Sequence, residues 1–201
     1  MASYVSVVNL AAALIGTESR ITSPSDDKVL ARRAAAVWDS QRRAAIRDGA
    51  WNFATRRVEL PEIVGDVAYP WSAAYRMPSD ALRLIEVLSP SAGTDYQVEG
   101  GKVLCHVEGP LRIRYLVDIV QPELWDDSFV DAFAARIAWK IGKAIAGSSY
   151  DERAGEAEYR RILADAKRVD ALENPPVDQA EDDWIVARHG NVAGSDPLRW
   201  G

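Results

Sequence analysis

A single cysteine and two histidines among 201 residues leave this chain short of the side chains that staple, ligate and attack. Cys105 has no second thiol for an intramolecular disulfide and reads as a small buried hydrophobe. His106 and His189 lie far apart and offer no metal-ligand spacing. Positive charge is in deficit too. The 24 lysines and arginines stand against 30 acids, for a net charge of -6, so nothing overall draws the protein to nucleic acid or an anionic membrane, and any contact with DNA has to be local or indirect. No stretch approaches the roughly 18 apolar residues of a membrane span. The opening "MASYVSVVNLAAALIG" is apolar but has no basic leader, which suits an amphipathic or buried helix better than a signal peptide. A soluble protein, cytoplasmic at synthesis and without a membrane partner, is expected.

Chemical motifs are missing as well. There is no G-x-x-x-x-G-K-[ST] phosphate loop, no G-x-G-x-x-G turn, no G-x-S-x-G elbow and no H-E-x-x-H helix. The acids Asp126 and Asp127, and the run Glu181, Asp182 and Asp183, read as helix caps and solubilising charge. Cys105 and His106 are neighbours on a strand, so alternation turns their side chains to opposite faces and prevents a cysteine-histidine couple. No nucleophile, base and orienting group can be assembled. The sequence therefore predicts a protein that is not an enzyme, with no catalytic residues, no cofactor and no metal.

What is present is a composition fit for a core, 48% hydrophobic and 27% charged. Residues 3 to 15 predict a helix stopped by Gly16. Ser25 is placed as the N-cap of a second helix from about 26 to 48, with Asp26 and Asp27 in its first turn. On that helix Leu30, Ala34, Val37, Trp38 and Ala45 share one side, Arg32, Arg43 and Arg47 line another, and Asp39 is placed to support Arg43. From about 55 the period changes: "TRRVEL", "SAAYRM", "LRLIEVL", "DYQVEG", "KVLCHV" and "LRIRYLV" predict five or six short strands. Gly100 and Gly101 make a tight hairpin turn, and Pro78 and Asp80 lie in another turn. Helical period returns with Asp127 or Ser128 as cap and a stripe of Val130, Phe133, Ile137, Ile141 and Ala144 up to Gly147. A fourth helix of roughly 150 to 172 carries a narrower stripe of Ile162, Ala166 and Val169.

The fold class expected is α+β: a discontinuous helical bundle of about four helices (1–54 and 121–173), an inserted small antiparallel β lobe (55–120) and an extended C-terminal arm (174–201). Trp38, Trp51 and Phe53 are placed in the core where helices hand over to the lobe. Arg32, Arg43 and Arg47 are candidates to face acids on an adjacent subunit or another protein, the alternative being a solvated face. Trp184, Ile185 and Arg188 supply an aromatic anchor and a cation for an arm that orders on a partner, the alternative being that Trp184 folds back on its own helices.

In order along the chain, "ITSPSDDKVLARRAAAVWDSQRRAAIRDGAWNFATRRVEL", "YRMPSDALRLIEV", "YQVEGGKVLC", "LRIRYLVDI", "PELWDDSFVDAFAARIAWKIGKAIAGS" and "DDWIVAR" resemble the tail tubular protein A family, the head-to-tail adaptors of short-tailed phages, over nearly the whole chain to about 188. The resemblance implies a structural virion protein located at the head-tail interface, assembled from subunits made in the host cytoplasm. It implies a homo-oligomeric, dodecameric ring that docks under the portal protein, continues the DNA channel and carries the tail nozzle or a tail tubular protein B-like component. DNA then passes without sequence-specific binding, which an acidic subunit favours, since every neutralised phosphate adds affinity. The family brings no catalytic residues to carry over. The alternatives are another head-tail connector or completion protein and a tail-associated cell-wall hydrolase.

Overall fold

The computed structural model describes residues 1–65, 67, 69–88 and 95–173. Along the chain lie α1 (Tyr4–Ile15), α2 (Val29–Asp48), β1 (Thr55–Leu60), β2 (Ala73–Arg76), β3 (Ala81–Val87), β4 (Tyr96–Glu99), β5 (Lys102–Cys105), β6 (Leu111–Val117), α3 (Asp127–Ala146) and α4 (Glu152–Leu172), with one-turn 3-10 helices at Asn52–Ala54, Pro122–Leu124 and Gly147–Ser149. Among the described residues, four α-helices with two three-stranded antiparallel sheets give the expected α+β class. The arm candidates Trp184, Ile185 and Arg188 lie outside the described residues.

Each helix starts where a side chain caps it or competing turn chemistry lets it. In α1, Ser3 and Ser6 form a reciprocal capping box, and the helix stops at Gly16. α2 begins at Val29 rather than near 26, and Ser25 is not its cap. The Asp26 carboxylate instead accepts the Thr22 backbone N–H at 2.8 Å, closing a turn that ends before the helix, and Lys28 enters in extended backbone without a side-chain cap. The cap of α3 is Asp126, which accepts from the Ser128 backbone N–H at 2.8 Å; Asp127 sits in the first turn. Asp151 caps α4 through the Arg153 and Ala154 N–H groups.

α3 is the central helix and packs on α1, α2 and α4. Its Phe129, Phe133 and Ile137 are fully buried against Val7, Val8, Ala11 and Ala12 of α1 and the Leu30 to Ala34 side of α2. On α4 the buried anchors are Tyr159 and Ala166, while Val169, expected in the apolar stripe, is 44% exposed. Tyr159 faces α3, stacked on Trp139 at 5.8 Å between ring centroids.

The six expected strand segments are strands. β6 lies between β1 and β3, with Val58 opposite Ile113, and β5 lies between β2 and β4, with Val98 opposite Val103. Past Pro61 the chain bridges to β2, where Ile63 N–H meets the Ala74 carbonyl at 2.8 Å. Gly100 and Gly101, at φ 54 and 74, form the two-residue turn of the β4–β5 hairpin. Leu111, Ile113, Tyr115 and Leu116 of β6 belong to the same apolar cluster as α1, α2 and α3, so the first sheet and the bundle share one core. No helix among the described residues is long and apolar enough to cross a membrane.

Candidate interaction surfaces

The stretch "RDGAWNFATRRVEL" ends α2 and starts β1, and its aromatics form the joint between them. Trp51 is fully buried, its indole N–H donates to the Ala45 carbonyl at 3.1 Å, and its ring meets Phe129 edge-on at 5.0 Å. That bond satisfies one of the carbonyls left open at the end of α2. Gly49 makes the fold-back possible, because a Cβ there would lie 2.5 Å from the indole. Phe53 is half-buried at 4.9 Å from Phe129. Trp38, higher on α2, packs at 4.9 Å from Phe133 and 6.0 Å from Trp125, whose own indole donates to the Ile119 carbonyl at 2.8 Å. The three aromatics expected at the junction thus belong to one continuous ring cluster. The end of α4 closes over it: Asn52 N–H donates to the Asp170 carboxylate at 3.0 Å, and the Asn52 amide donates to the Asp170 carbonyl at 2.8 Å.

Two polar clusters were hidden from sequence reasoning. Arg42 is 4% exposed and forks onto Asp118 at 2.8 and 2.9 Å, with a third bond to Asp39 at 2.5 Å. Asp39 therefore supports Arg42, three residues on, rather than Arg43. The Asp118 hydrogen bond raises the Arg42 pKa against the pull of burial. The available signal was position: Arg42 sits four residues from Trp38 and three from Ala45, on the apolar side of α2. In the second cluster, Arg136 of α3 donates to Asp48 at 2.5 Å and to the Tyr159 hydroxyl at 2.6 Å, and that hydroxyl donates to Asp48 at 2.7 Å. Burial first, and the bond to Asp48 second, push the Tyr159 hydroxyl up to about 12. The cluster joins α2, α3 and α4.

The arginine stripe is on the solvent side of α2, but its members differ. Arg32 pairs with Asp27, and Arg43 reaches Asp118 only at 3.9 Å; both side chains are 60% exposed. Arg47 donates to the Leu82 carbonyl at 2.8 Å and so ties α2 to β3 within the chain. Arg33 is exposed on the same face, seven residues before Ser40 and fourteen before Arg47, and extends the surface of Arg32, Arg43 and Arg47.

A cavity of about 280 Å³ opens between α1, α3 and the start of α4, lined by Leu14, Ala135, Ala138, Tyr150, Ala154 and Gly155. Tyr150 forms one wall because Gly142 and Gly155 leave it room: a Cβ on either would come within 2.3 and 2.1 Å of its ring and hydroxyl atoms. On the second sheet Cys105 is buried and His106 exposed against Trp71 at 5.0 Å, on opposite faces as alternation requires. Among the described residues no group of three or more His, Cys, Asp or Glu could hold a metal ion. Compared with known proteins, the chain matches no family model and no curated protein.

Proposed function

We propose that this chain is a structural head-to-tail adaptor of the tail tubular protein A type, assembling as a ring between a phage portal and the tail nozzle and continuing the DNA channel. The observation that carries the reading is architectural. Helices from both ends of the described chain pack around α3, and six strands are inserted between α2 and α3, the order that the resembling segments lead one to expect.

The exposed face of α2 supports an assembly role. Arg32, Arg33 and Arg43 put three cations on one helix side, with Ala36 and Ser40 between them giving a low floor for another protein surface. Single surface pairs contribute roughly 0 to 1 kcal/mol, but a closed ring repeats each of them at every interface. Arg47 has a second duty at β3, so its substitution mixes assembly with stability.

Co-assembly with portal protein tests the reading. The wild-type chain is expected to form rings that cap portal particles in negative-stain images, and Arg32→Glu with Arg33→Glu and Arg43→Glu is expected to lower ring yield most at low salt. Uncapped portal with wild-type protein would count against the adaptor, and rings indifferent to both salt and charge reversal would return this face to plain solvent.

A further inference from the structure

The cavity beside Tyr150 belongs to a groove that α3 floors and α1 and α4 wall. Asp131, Ala135 and Ala138 follow at four- and three-residue spacing, so they share one face of α3, and the two alanines line the cavity. α1 brings no charge to its wall: Tyr4–Ile15 contains neither acid nor base, and Leu14 at the cavity is 43% exposed. On the α4 side Asp151 and Glu158 line the cavity, and Asp165 stands seven residues past Glu158 on the same face. α4 runs back along α3, with Tyr159 stacked on Trp139 and Asp170 within electrostatic reach of Asp126, so Asp131 comes level with the turn 162–165. Acids therefore stand at both ends of the cavity, Asp151 at one and Asp131 with Asp165 at the other. Arg161 bonds both Glu158 and Asp165, one cation against two carboxylates, while Asp131 and Asp151 have no ion pair among the described residues. The groove is apolar on its floor and acidic in sum.

The outer ridge of α2 has the opposite character. Val29, Arg33, Ala36, Ser40, Arg43 and Arg47 follow alternately at four- and three-residue spacing and are all exposed, the pattern with which a helix lies in a groove. Arg33 makes no ion pair or hydrogen bond among the described residues, and Arg43 reaches Asp118 only at 3.9 Å. Between these two arginines, about 15 Å apart at ~1.5 Å per helical residue, the ridge drops to Ala36 and Ser40. That low stretch lets the helix settle on the cavity while the arginines extend to the acids beyond it. Because acids stand at both ends, the match holds for either direction of the helix. α2 is fixed to α3 by its opposite face, through Leu30 and Ala34, so it cannot enter the groove of its own chain.

We propose that the α2 ridge of one subunit seats in the groove between α1 and α4 of a second copy, with Ala36 and Ser40 over Ala138 and Ala154 and with Arg33 and Arg43 at the acids. The two faces differ, so every copy offers both and the contact is head-to-tail, the kind that closes into a ring. The inference rests on the adaptor reading for the presence of a second copy, and adds to it the surface that α2 meets.

Crosslinking of the full chain, with and without portal protein, tests it. Ser40→Cys and Ala154→Cys put one exposed thiol on each face, and the native Cys105 is buried. Treated with a short bis-maleimide, the double variant should give intermolecular links between positions 40 and 154, identified by mass spectrometry, in yield several-fold above either single variant. Arg33→Glu with Arg43→Glu should remove the links, and Asp131→Lys with Glu158→Lys added to that pair should restore them. Linked dimer from Ser40→Cys alone would overturn the proposal by setting α2 against α2, and links indifferent to charge reversal would overturn the match of arginines to acids. Rings that cap portal without this link would overturn the inference and leave the adaptor reading standing, whereas a chain that does not associate at all, with or without portal, would overturn both.

Discussion

Arg42 is forked onto Asp118 and almost wholly out of water, whereas Arg43, one residue on, reaches the same carboxylate only at 3.9 Å from a largely exposed position. The two should behave differently on truncation. Arg42→Ala leaves the Asp118 carboxylate, 22% exposed, with only the Arg43 guanidinium at 3.9 Å and is expected to cost about 2 kcal/mol or more, while Arg43→Ala is expected to cost about 0 to 1 kcal/mol. Urea unfolding of the two variants checks this, and equal losses would contradict the buried pair. Asp170 gives a pH-dependent case. Burial raises its carboxyl above the ordinary value, ahead of the opposing bond from Asn52 N–H, so the fold penalises its charged form. Stability from this group is fully present below the unfolded-state value near 3.9 and is lost as pH rises through the raised native value. Asp170→Asn keeps an oxygen for the Asn52 N–H and is expected to be at least as stable as the wild type at pH 7, with the difference vanishing below about pH 4. A variant clearly less stable at pH 7 would show that the bond to the carboxylate outweighs its desolvation.

Helix ends are where sequence and structure part most instructively. Asp126 makes the cap of α3 and Asp127 only faces its N-terminal dipole, so Asp126→Ala is expected to cost about 1 kcal/mol and Asp127→Ala a few tenths to about 1 kcal/mol. Thermal unfolding ranks them, and a larger loss at Asp127 would move the cap. Strands and the interior of the helices were legible because their periods are local: "LRIRYLV" alternates, and Phe133, Ile137 and Ile141 repeat at helical spacing. The start of α2 was not, since Ser25, Asp26 and Asp27 carry the residue types of a cap and first turn, while Asp26 in fact turns back to an N–H four residues earlier. Tyr159 was missed for a different reason. Its burial is set by Asp48 and Arg136, which are 111 and 23 positions away and leave no mark on the local pattern. The same holds for Arg42 and Asp118, 76 apart.

At the scale of the molecule, the aromatic cluster of Trp38, Trp51, Phe53, Trp125, Phe129 and Phe133 ties α2, α3 and the α2–β1 joint together, and Leu111, Ile113 and Leu116 of β6 carry the same core into the first sheet. The ring we propose would use that stiffness to hold its channel open, and the cations of α2 lie on the exposed side of the helix, where the proposal puts neighbouring subunits. A negative net charge suits passage of DNA without capture. The proposed ring-forming adaptor is tested by native mass spectrometry of the full chain with and without portal protein. A closed oligomer of one stoichiometry, formed or stabilised when portal is present and bound to it, is expected; a chain that stays monomeric with portal at low salt, leaving free portal rings beside it, would contradict the adaptor role.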